Sequence, residues 1–278
     1  MVRIIADTST LYSSQQAQEA GFNVAPLSVT INNQSYREFD EISSEDFVSI
    51  IHQGHMPTSS QPAVGEVAAL YESYPDDEIL DIAMADGLSG TYNSAVAAVE
   101  LCDGQDRISV LNSRTLCGPH RYMVELATKL AREGKSRKDI LARLEELMAT
   151  EKSYLMPEDF AYLRRGGRLS PLVSLVGQAT HLCPMMTLTE DARHLTVAGV
   201  RRNFRQAIQH VAKSLADRGV GKDWRVYISH AATPEKAAQA KEILLSHLPD
   251  AIFETHPLSP AFITQGGPGC VSVQVIHC

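Results

Sequence analysis

The stretch ADGLSGTY, residues 85–92, lies between an apolar segment of strand length and a segment with helical spacing, and it decides the predicted fold class. Residues 79–85 (ILDIAMA) predict a buried strand, and the apolar residues after the stretch recur at helical spacing. A helix should therefore begin near Ser89, Gly90 and Thr91. Free backbone N–H groups at a helix start favour an anionic or carbonyl-bearing ligand. Ordinary helix capping is the alternative role for these residues.

Strand-like and helix-like segments alternate on both sides of this stretch. The alternation starts with a buried strand at Val2–Ala6 and predicts a mostly parallel sheet covered on both faces by helices. Beyond residue 150 the order changes, with a hairpin expected over 185–200 and an alternating strand over 271–276. We therefore predict an α/β protein of two lobes. Residues 1–150 form the first, with a mostly parallel sheet flanked by helices, and residues 151–278 form the second, with a mixed sheet and helices.

Several local patterns add finer expectations. Asn32 and Asn33 predict a tight hairpin turn. The remaining patterns predict a proline-bracketed loop over 57–62, helices over 122–132, 159–163 and 169–179, and glycine-containing loops over 164–168 and 265–269.

Composition and charge exclude several classes of protein. With 278 residues, 44% of them hydrophobic, the chain is long and apolar enough for a stable core. Its 33 acidic residues exceed the 25 Lys and Arg, which argues against nucleic-acid binding. The five cysteines contain no C-x-x-C pair, and the histidines have no metal-ligand spacing, so we expect neither a disulfide framework nor a metal site. No apolar run suits a signal peptide or a membrane span, which predicts a cytoplasmic protein.

A loop with three successive hydroxyl side chains is a second candidate ligand contact. It consists of Thr58, Ser59 and Ser60 between two prolines. Side-chain oxygens in such a loop can bind a polar head group, although a plain turn is the commoner role for any one of them.

Two further functions remain open from the residues alone. Residues 87–90 (GLSG) are similar to the G-x-S-x-G turn of serine hydrolases, with Ser89 as nucleophile, but Thr91 replaces the last glycine and no histidine is singled out as base. Two arginine clusters form a solvated face or dock an acidic or phosphorylated partner, as a regulatory module would. They comprise Arg164, Arg165 and Arg168, and Arg201, Arg202 and Arg205.

Four short segments, taken in order, carry a family resemblance that covers nearly the whole chain. They are TSSQP (58–62), GLSGTY (87–92), YLRRGGR (162–168) and GPG (267–269). In this order they resemble the DegV family of bacterial fatty-acid-binding proteins. The resemblance implies one long-chain fatty acid in an apolar tunnel of the C-terminal lobe, with its carboxylate bound by hydroxyls at the lobe interface. It also implies a carrier that does no chemistry, needs no cofactor and presents the fatty acid to an ATP-binding fatty acid kinase subunit.

The resemblance assigns roles to individual positions. The ligand-binding positions that it implies are Thr58, Ser59, Ser60, Ser89, Gly90, Thr91, Gln265, Gly266 and Gly267. The arginine clusters supply the expected partner-binding positions, which are Arg168, Arg201 and Arg202. Two positions depart from the family pattern. Asp86 stands where a small or hydroxyl residue is usual, and Gln265 replaces a histidine expected near the head group. An ionised Asp86 near a bound carboxylate would repel it by roughly 3 kcal/mol at an effective dielectric constant of 20.

Overall fold

The computed structural model describes residues 1–171, 173 and 182–278. Up to residue 150 the strands are β1 (Val2–Asp7), β2 (Asn23–Ala25), β3 (Ser28–Ile31), β4 (Gln34–Arg37), β5 (Thr58–Ser60), β6 (Glu78–Ala83) and β7 (Ile108–Asn112). The helices of this half are α1 (Ser14–Ala20), α2 (Ser44–His52), α3 (Val64–Glu72), α4 (Thr91–Val99), α5 (Cys117–Arg132) and α6 (Arg137–Met148).

The second half contains the remaining described elements. Its strands are β8 (Lys152–Met156), β9 (Cys183–Leu188), β10 (Leu195–Arg201), β11 (Trp224–His230), β12 (Ile252–Pro257) and β13 (Val271–His277). Its helices are α7 (Phe160–Gly166), α8 (Phe204–Asp217), α9 (Pro234–His247) and α10 (Pro260–Gly266). In the described ranges, no helix has the length and apolar character needed to cross a bilayer.

The first sheet has the strand order β2-β1-β6-β7, and all three pairings are parallel. Successive side chains of a strand point to opposite faces, so Ile79 packs with α3 and α4 while Leu80 and Ile82 pack with α5 and α6. This confirms the predicted parallel sheet flanked by helices.

The second sheet has the order β10-β9-β8-β13-β11-β12, and only the β11–β12 pair is parallel among its described pairings. Helices α8 and α9 cover one face, where Val271, Val273 and Val275 of β13 are fully buried. The opposite face meets α5 of the first half. The predicted mixed sheet and the hairpin of β9 and β10 are confirmed. A division near residue 150 would fall between α6 and β8, and it stays a prediction.

A small antiparallel sheet, β4-β3-β5, was only partly foreseen. Asn32 and Asn33 form the β3–β4 turn with φ of 51° and 58°, as a type I′ hairpin requires. The expectation of a loop over 57–62 is wrong at its centre, because Thr58–Ser60 forms β5 and pairs with β3. Three residues between two prolines are too few to show the alternation by which a strand is recognised.

Three helix boundaries also differ from the expectations. Arg164 and Arg165 lie in the last turn of α7 rather than in a loop, and Gly167 ends that helix with φ of 69°. Gln265 and Gly266 lie at the end of α10, so the expected loop over 265–269 begins too early. Helix α5 starts at Cys117, five residues before its expected start at 122. The helix expected over 169–179 falls largely outside the described residues.

Candidate functional site

The carboxyl ends of β1 and β6 form the centre of the candidate site. These neighbouring strands are parallel, and β2 and β7 lie on their outer sides, so the strand order reverses between them. Ligands of open α/β sheets bind at such a switch point. The segments that leave the two strands here are residues 8–10 and 84–90.

A buried polar network holds these two segments together. The Asp7 carboxylate accepts hydrogen bonds from the backbone N–H groups of Ser9 at 2.8 Å and Met84 at 2.9 Å. His120 Nε2 lies 2.7 Å from the Ile82 carbonyl oxygen, which can only accept, so Nε2 carries the proton. Nδ1 therefore accepts the Ser9 hydroxyl proton across 2.6 Å. Burial lowers the pKa of His120 and keeps the ring neutral.

A second buried acid, Glu38, links this network to the C-terminal half. It accepts the Thr8 hydroxyl proton and, across 2.9 Å, the backbone N–H of Ala261 at the start of α10. Burial raises the pKa of Glu38 to about 7, although its hydrogen bonds act in the opposite direction. The helix that carries Gln265 is thereby tied to the segment after β1.

A small polar cavity lies in front of this network. It contains about 370 Å³ of space not occupied by protein atoms, part of it open to solvent. The polar residues that line it are Ser59, Ser60, Gln61, Ser89, Arg168 and Gln265. We call it the head cavity.

A larger cavity lies next to the head cavity. It contains about 730 Å³ of space not occupied by protein atoms, again partly open, and most of its lining is apolar. We call it the tail cavity. Five residues line both cavities, so the two are adjacent; they are Met84, Leu88, Arg168, Phe262 and Gln265. Residues of both halves of the chain line each cavity.

The structure places Ser89 at the head cavity and Gly90 and Thr91 beside it. Gly90 is the N-cap of α4, and a Cβ there would lie 2.8 Å from the Gln61 amide, so glycine permits this close approach. Thr91 is buried, and its hydroxyl lies 2.8 Å from the Ser89 hydroxyl. The helix predicted to start at this position is confirmed.

Strand β5 brings two of its three hydroxyls to the head cavity. Ser59 and Ser60 line it, whereas Thr58 is exposed and is not among the lining residues. Gln265 Nε2 donates to the Ser59 hydroxyl across 3.1 Å, while its Oε1 is buried without a hydrogen-bond partner among the described residues. Because the Ser59 hydroxyl can donate or accept, a reversed Gln265 amide would keep this contact and place Nε2 where Oε1 now lies, beside Gly166.

The glycines after Gln265 have different surroundings. Gly266 lines the tail cavity, where a Cβ would approach the Cys270 sulfur to 2.8 Å. Gly267 has φ of 81° and lies against the Tyr162 ring, outside both cavity linings.

Asp86 forms an ion pair and lines neither cavity. Its carboxylate accepts a hydrogen bond from Arg193 Nη1 at 2.6 Å, and Arg193 lies at the tip of the β9–β10 hairpin. A Cβ on Gly87 would lie 2.1 Å from the Arg193 Cα, so the two backbones touch there. The pairing places a positive charge beside Asp86, which weakens its repulsion of a bound anion.

Arg168 lies at the junction of the two cavities. It is half-buried, its Nε donates to the Leu88 carbonyl across 3.0 Å, and its Nη1 donates to the Gly166 carbonyl. Burial lowers the pKa of its guanidinium, and no acidic side chain of the described residues forms an ion pair with it. A half-buried cation of this kind favours an anionic ligand.

The other two arginines predicted to bind a partner lie elsewhere. Arg201 ends β10, and Arg202 follows it on the exposed surface. Leu169 bridges Leu195 at the opposite end of β10, which puts Arg168 about 20 Å from Arg201 at about 3.3 Å per residue. The structure therefore separates Arg168 from the second arginine cluster.

Among the described residues, the Ser89 side chain has no hydrogen bond to a catalytic base, and its hydroxyl lies beside that of Thr91. The buried Ser9–His120 pair is inaccessible to a substrate because both residues are 0% exposed. Among the described residues, no group of three His, Cys, Asp or Glu is arranged to hold a metal ion.

Comparison with known proteins places this geometry in a family. A family model described as "Uncharacterised protein, DegV family" matches residues 1–277. The chain belongs to the DegV family. Among curated relatives, protein DegV of Bacillus subtilis is 28% identical over 279 residues, which cover 98% of each protein. A DegV domain-containing protein of Listeria innocua is 28% identical over 277 residues, covering 98% of this chain and 97% of that protein.

Solved DegV structures have the same fold. The crystal structure of DegV from Bacillus subtilis, described as a fatty acid binding protein, is 27% identical and gives a TM-score of 0.88 over 100% of this chain and 99% of that one. A DegV family protein from Thermus thermophilus, described with fatty acid binding, is 26% identical and gives a TM-score of 0.89 over the same shares. The resemblance seen in the four sequence segments is thus confirmed at the level of the family.

Sequence reasoning did not find several residues that build the site. Glu38 and His120 were missed because their partners, Ala261 and Ser9, are far away in the chain. Helix α10 was missed although Ser259 and Pro260 form a usual helix start, with the Ser259 side chain accepting from the Phe262 N–H.

Proposed function

We propose that this DegV protein binds one long-chain fatty acid, with the carboxylate in the head cavity and the acyl chain in the tail cavity. The observation that carries the proposal is the junction itself, where a cavity with several polar lining residues and a half-buried arginine adjoins a mostly apolar one. The fatty acid binding described for the relatives from Bacillus subtilis and Thermus thermophilus supports the same ligand class.

The acyl chain supplies most of the affinity. Burial of about fifteen methylenes at roughly 0.8 kcal/mol each contributes on the order of 12 kcal/mol before the costs of ordering. The entropy lost when the acyl chain is ordered makes the net binding free energy considerably smaller. The apolar lining that would receive the chain includes Leu116, Leu155, Leu163, Met186 and Leu258.

The head cavity has to offset the loss of water around the carboxylate. Ser59, Ser60, Ser89 and Gln265 offer neutral donors, and Arg168 offers a cation. Hydrogen bonds to a charged group contribute about 1.5–3 kcal/mol each, so two or three are enough to retain the carboxylate as an anion. Thr58, Gly90, Thr91 and Gly267 do not line the head cavity, so in this arrangement they do not contact the carboxylate directly.

We further propose that the protein is a carrier that presents the carboxylate to an ATP-binding fatty acid kinase subunit. Arg202 is exposed, and with Arg201 and Arg205 it forms a basic surface suited to an acidic partner face. Ser89 has a threonine rather than a base as its hydrogen-bond partner, which supports binding over hydrolysis.

Titration of the delipidated protein tests the binding proposal. A fluorescent fatty acid should bind with one-to-one stoichiometry and be displaced by palmitate, and palmityl alcohol should compete less well because it cannot pair with Arg168. A protein that binds neither probe, and whose Ser89 is labelled by a fluorophosphonate, would instead support the hydrolase.

The carrier role is tested at the basic surface. Arg202→Ala should weaken capture of a purified fatty acid kinase subunit without changing fatty acid affinity, and unchanged capture would contradict that role.

A further inference from the structure

The wall that the mixed sheet contributes to the tail cavity is not uniformly apolar. Side chains of β13 alternate, so the valines at 271, 273 and 275 face α8 and α9 while Ser272 and Gln274 face the cavity. Ser153 of β8 pairs with Gln274 and also lines the cavity. Thr187 of β9 lines the cavity as well, so four polar side chains of the mixed sheet lie inside a compartment otherwise suited to a hydrocarbon.

Three of these four side chains have hydrogen-bond partners within the protein, and the Thr187 hydroxyl donates to the Ser153 carbonyl at 2.8 Å. Gln274 Nε2 donates to the Leu116 carbonyl at 3.0 Å and to the Ser153 hydroxyl at 2.8 Å. Its Oε1 accepts the Gly118 N–H at 3.3 Å. The Ser153 hydroxyl in turn donates to Glu151. These contacts join the second sheet to the start of α5 and explain why Gln274 and Ser153 are polar.

Ser272 has no such explanation. Its side chain is 7% exposed, and its Oγ atom has no hydrogen-bond partner among the described residues. The residue opposite it on β8 is Leu155, which offers no polar atom in its side chain. A buried hydroxyl without a partner is costly, and unlike Ser229, its unpartnered neighbour on β11, Ser272 lines the tail cavity, where a ligand can supply the missing partner.

We propose that the tail cavity selects fatty acids that carry an oxygen substituent, a hydroxyl or a keto group, on the acyl chain, and that Ser272 is the hydrogen-bond partner of that oxygen. The proposal deepens the function proposed above and rests on it. The Ser272 hydroxyl can donate to a keto oxygen, and it can donate to or accept from a hydroxyl.

The position of Ser272 sets where the substituent lies along the chain. A Cβ on Gly266, one residue beyond the head cavity's Gln265, would lie 3.9 Å from the Leu155 side chain, and Leu155 pairs with Ser272 on the next strand. Ser272 lines the tail cavity but not the head cavity, so it lies beyond the site proposed for the carboxylate. The substituent should lie in the middle of the chain rather than next to the carboxylate.

Competition binding with positional isomers tests this selectivity. The ligands are octadecanoic acid and a set of octadecanoic acids with one hydroxyl at successive carbons in the middle third of the chain. We expect one isomer to bind the native protein about tenfold more tightly than the unsubstituted acid, which corresponds to about 1.4 kcal/mol. Ser272→Ala should abolish that preference and leave the affinity for octadecanoic acid within about twofold of native.

Ser229→Ala is the matched control. Ser229 pairs with Ser272 across β11 and β13, is fully buried, and its Oγ likewise has no hydrogen-bond partner among the described residues, but it does not line the tail cavity. The control variant should keep the isomer preference. A native protein that favours no isomer, or a preference that persists in Ser272→Ala, would overturn the proposal. Failure to bind octadecanoic acid at all would refute the proposed function instead, so the two failures are distinguishable.

Discussion

Replacing Arg168 with methionine tests how the head cavity retains a carboxylate. Methionine keeps much of the length and apolar stem of arginine and removes its charge and its donors. Nε and Nη1 of Arg168 already bond backbone carbonyls, which leaves N–H groups of the terminal nitrogens for a ligand. One charge-assisted hydrogen bond contributes about 1.5–3 kcal/mol, so the dissociation constant for palmitate should rise about tenfold to about a hundredfold.

The matched control for this substitution is Arg201→Met. Arg201 also donates to a backbone carbonyl, that of Val200 at 2.8 Å, but it lines neither cavity. Its replacement should leave palmitate affinity within about twofold of native.

The assay is displacement of a fluorescent fatty acid from the delipidated protein at neutral pH, with palmitate and palmityl alcohol as competitors. Arg168→Met should weaken palmitate and leave the alcohol nearly unchanged, because only the carboxylate uses the charge. Equal palmitate affinity in native and Arg168→Met protein, or an equal loss for both competitors, would refute the assigned role of Arg168.

Three further predictions concern the stability of the fold. Gly87→Ala should destabilise the fold by about 1–3 kcal/mol in urea unfolding, because its Cβ would meet the backbone of Arg193. Gly65→Ala in α3 has free space around the new Cβ and should be neutral or stabilising by up to about 1 kcal/mol. Equal changes in stability for the two substitutions would contradict this packing. Burial raises the pKa of Asp81 to about 7. Between about pH 4 and about pH 7 the folded state therefore holds a proton that the unfolded state has released. The free energy of unfolding should fall by up to about 1.4 kcal/mol per pH unit as the pH rises across this range. Asp81→Asn should remove that contribution in urea titrations across this range, and an unchanged pH slope would count against it. Asp86→Ala should destabilise the fold by about 1 kcal/mol or less, because the Asp86–Arg193 ion pair is partly exposed. A double-mutant cycle of Asp86 and Arg193 should give a coupling energy of similar size. A coupling energy of zero would show that the ion pair does not stabilise the position of the β9–β10 hairpin.

The sequence predicted the architecture because local patterns carry it. Apolar runs with β-branched residues indicated the strands, and Asn32 and Asn33 indicated the hairpin that they form. The turn at 85–92 was recognisable as a strand-to-helix junction for the same reason. Such features depend on residues close together in the chain, and the structure confirms them.

The site needed information that local patterns do not contain. Ser59 and Ser60 reach the head cavity only because β5 pairs with β3, and Arg168 reaches it from the other half of the chain. The alternation of β13 predicted a strand but not which face would meet a cavity, so the sequence did not predict that Ser272 lines the tail cavity. The repulsion between Asp86 and a bound carboxylate depends on Arg193, the ion-pair partner of Asp86, which is far away in the chain.

Mass spectrometry of lipid extracted from the denatured purified protein tests the central claim most directly. We predict close to one long-chain fatty acid per protein chain, with a loss of bound lipid when Arg168 is replaced by methionine. If no fatty acid is extracted, and if the delipidated protein also fails to take up palmitate, the protein is not a fatty acid carrier.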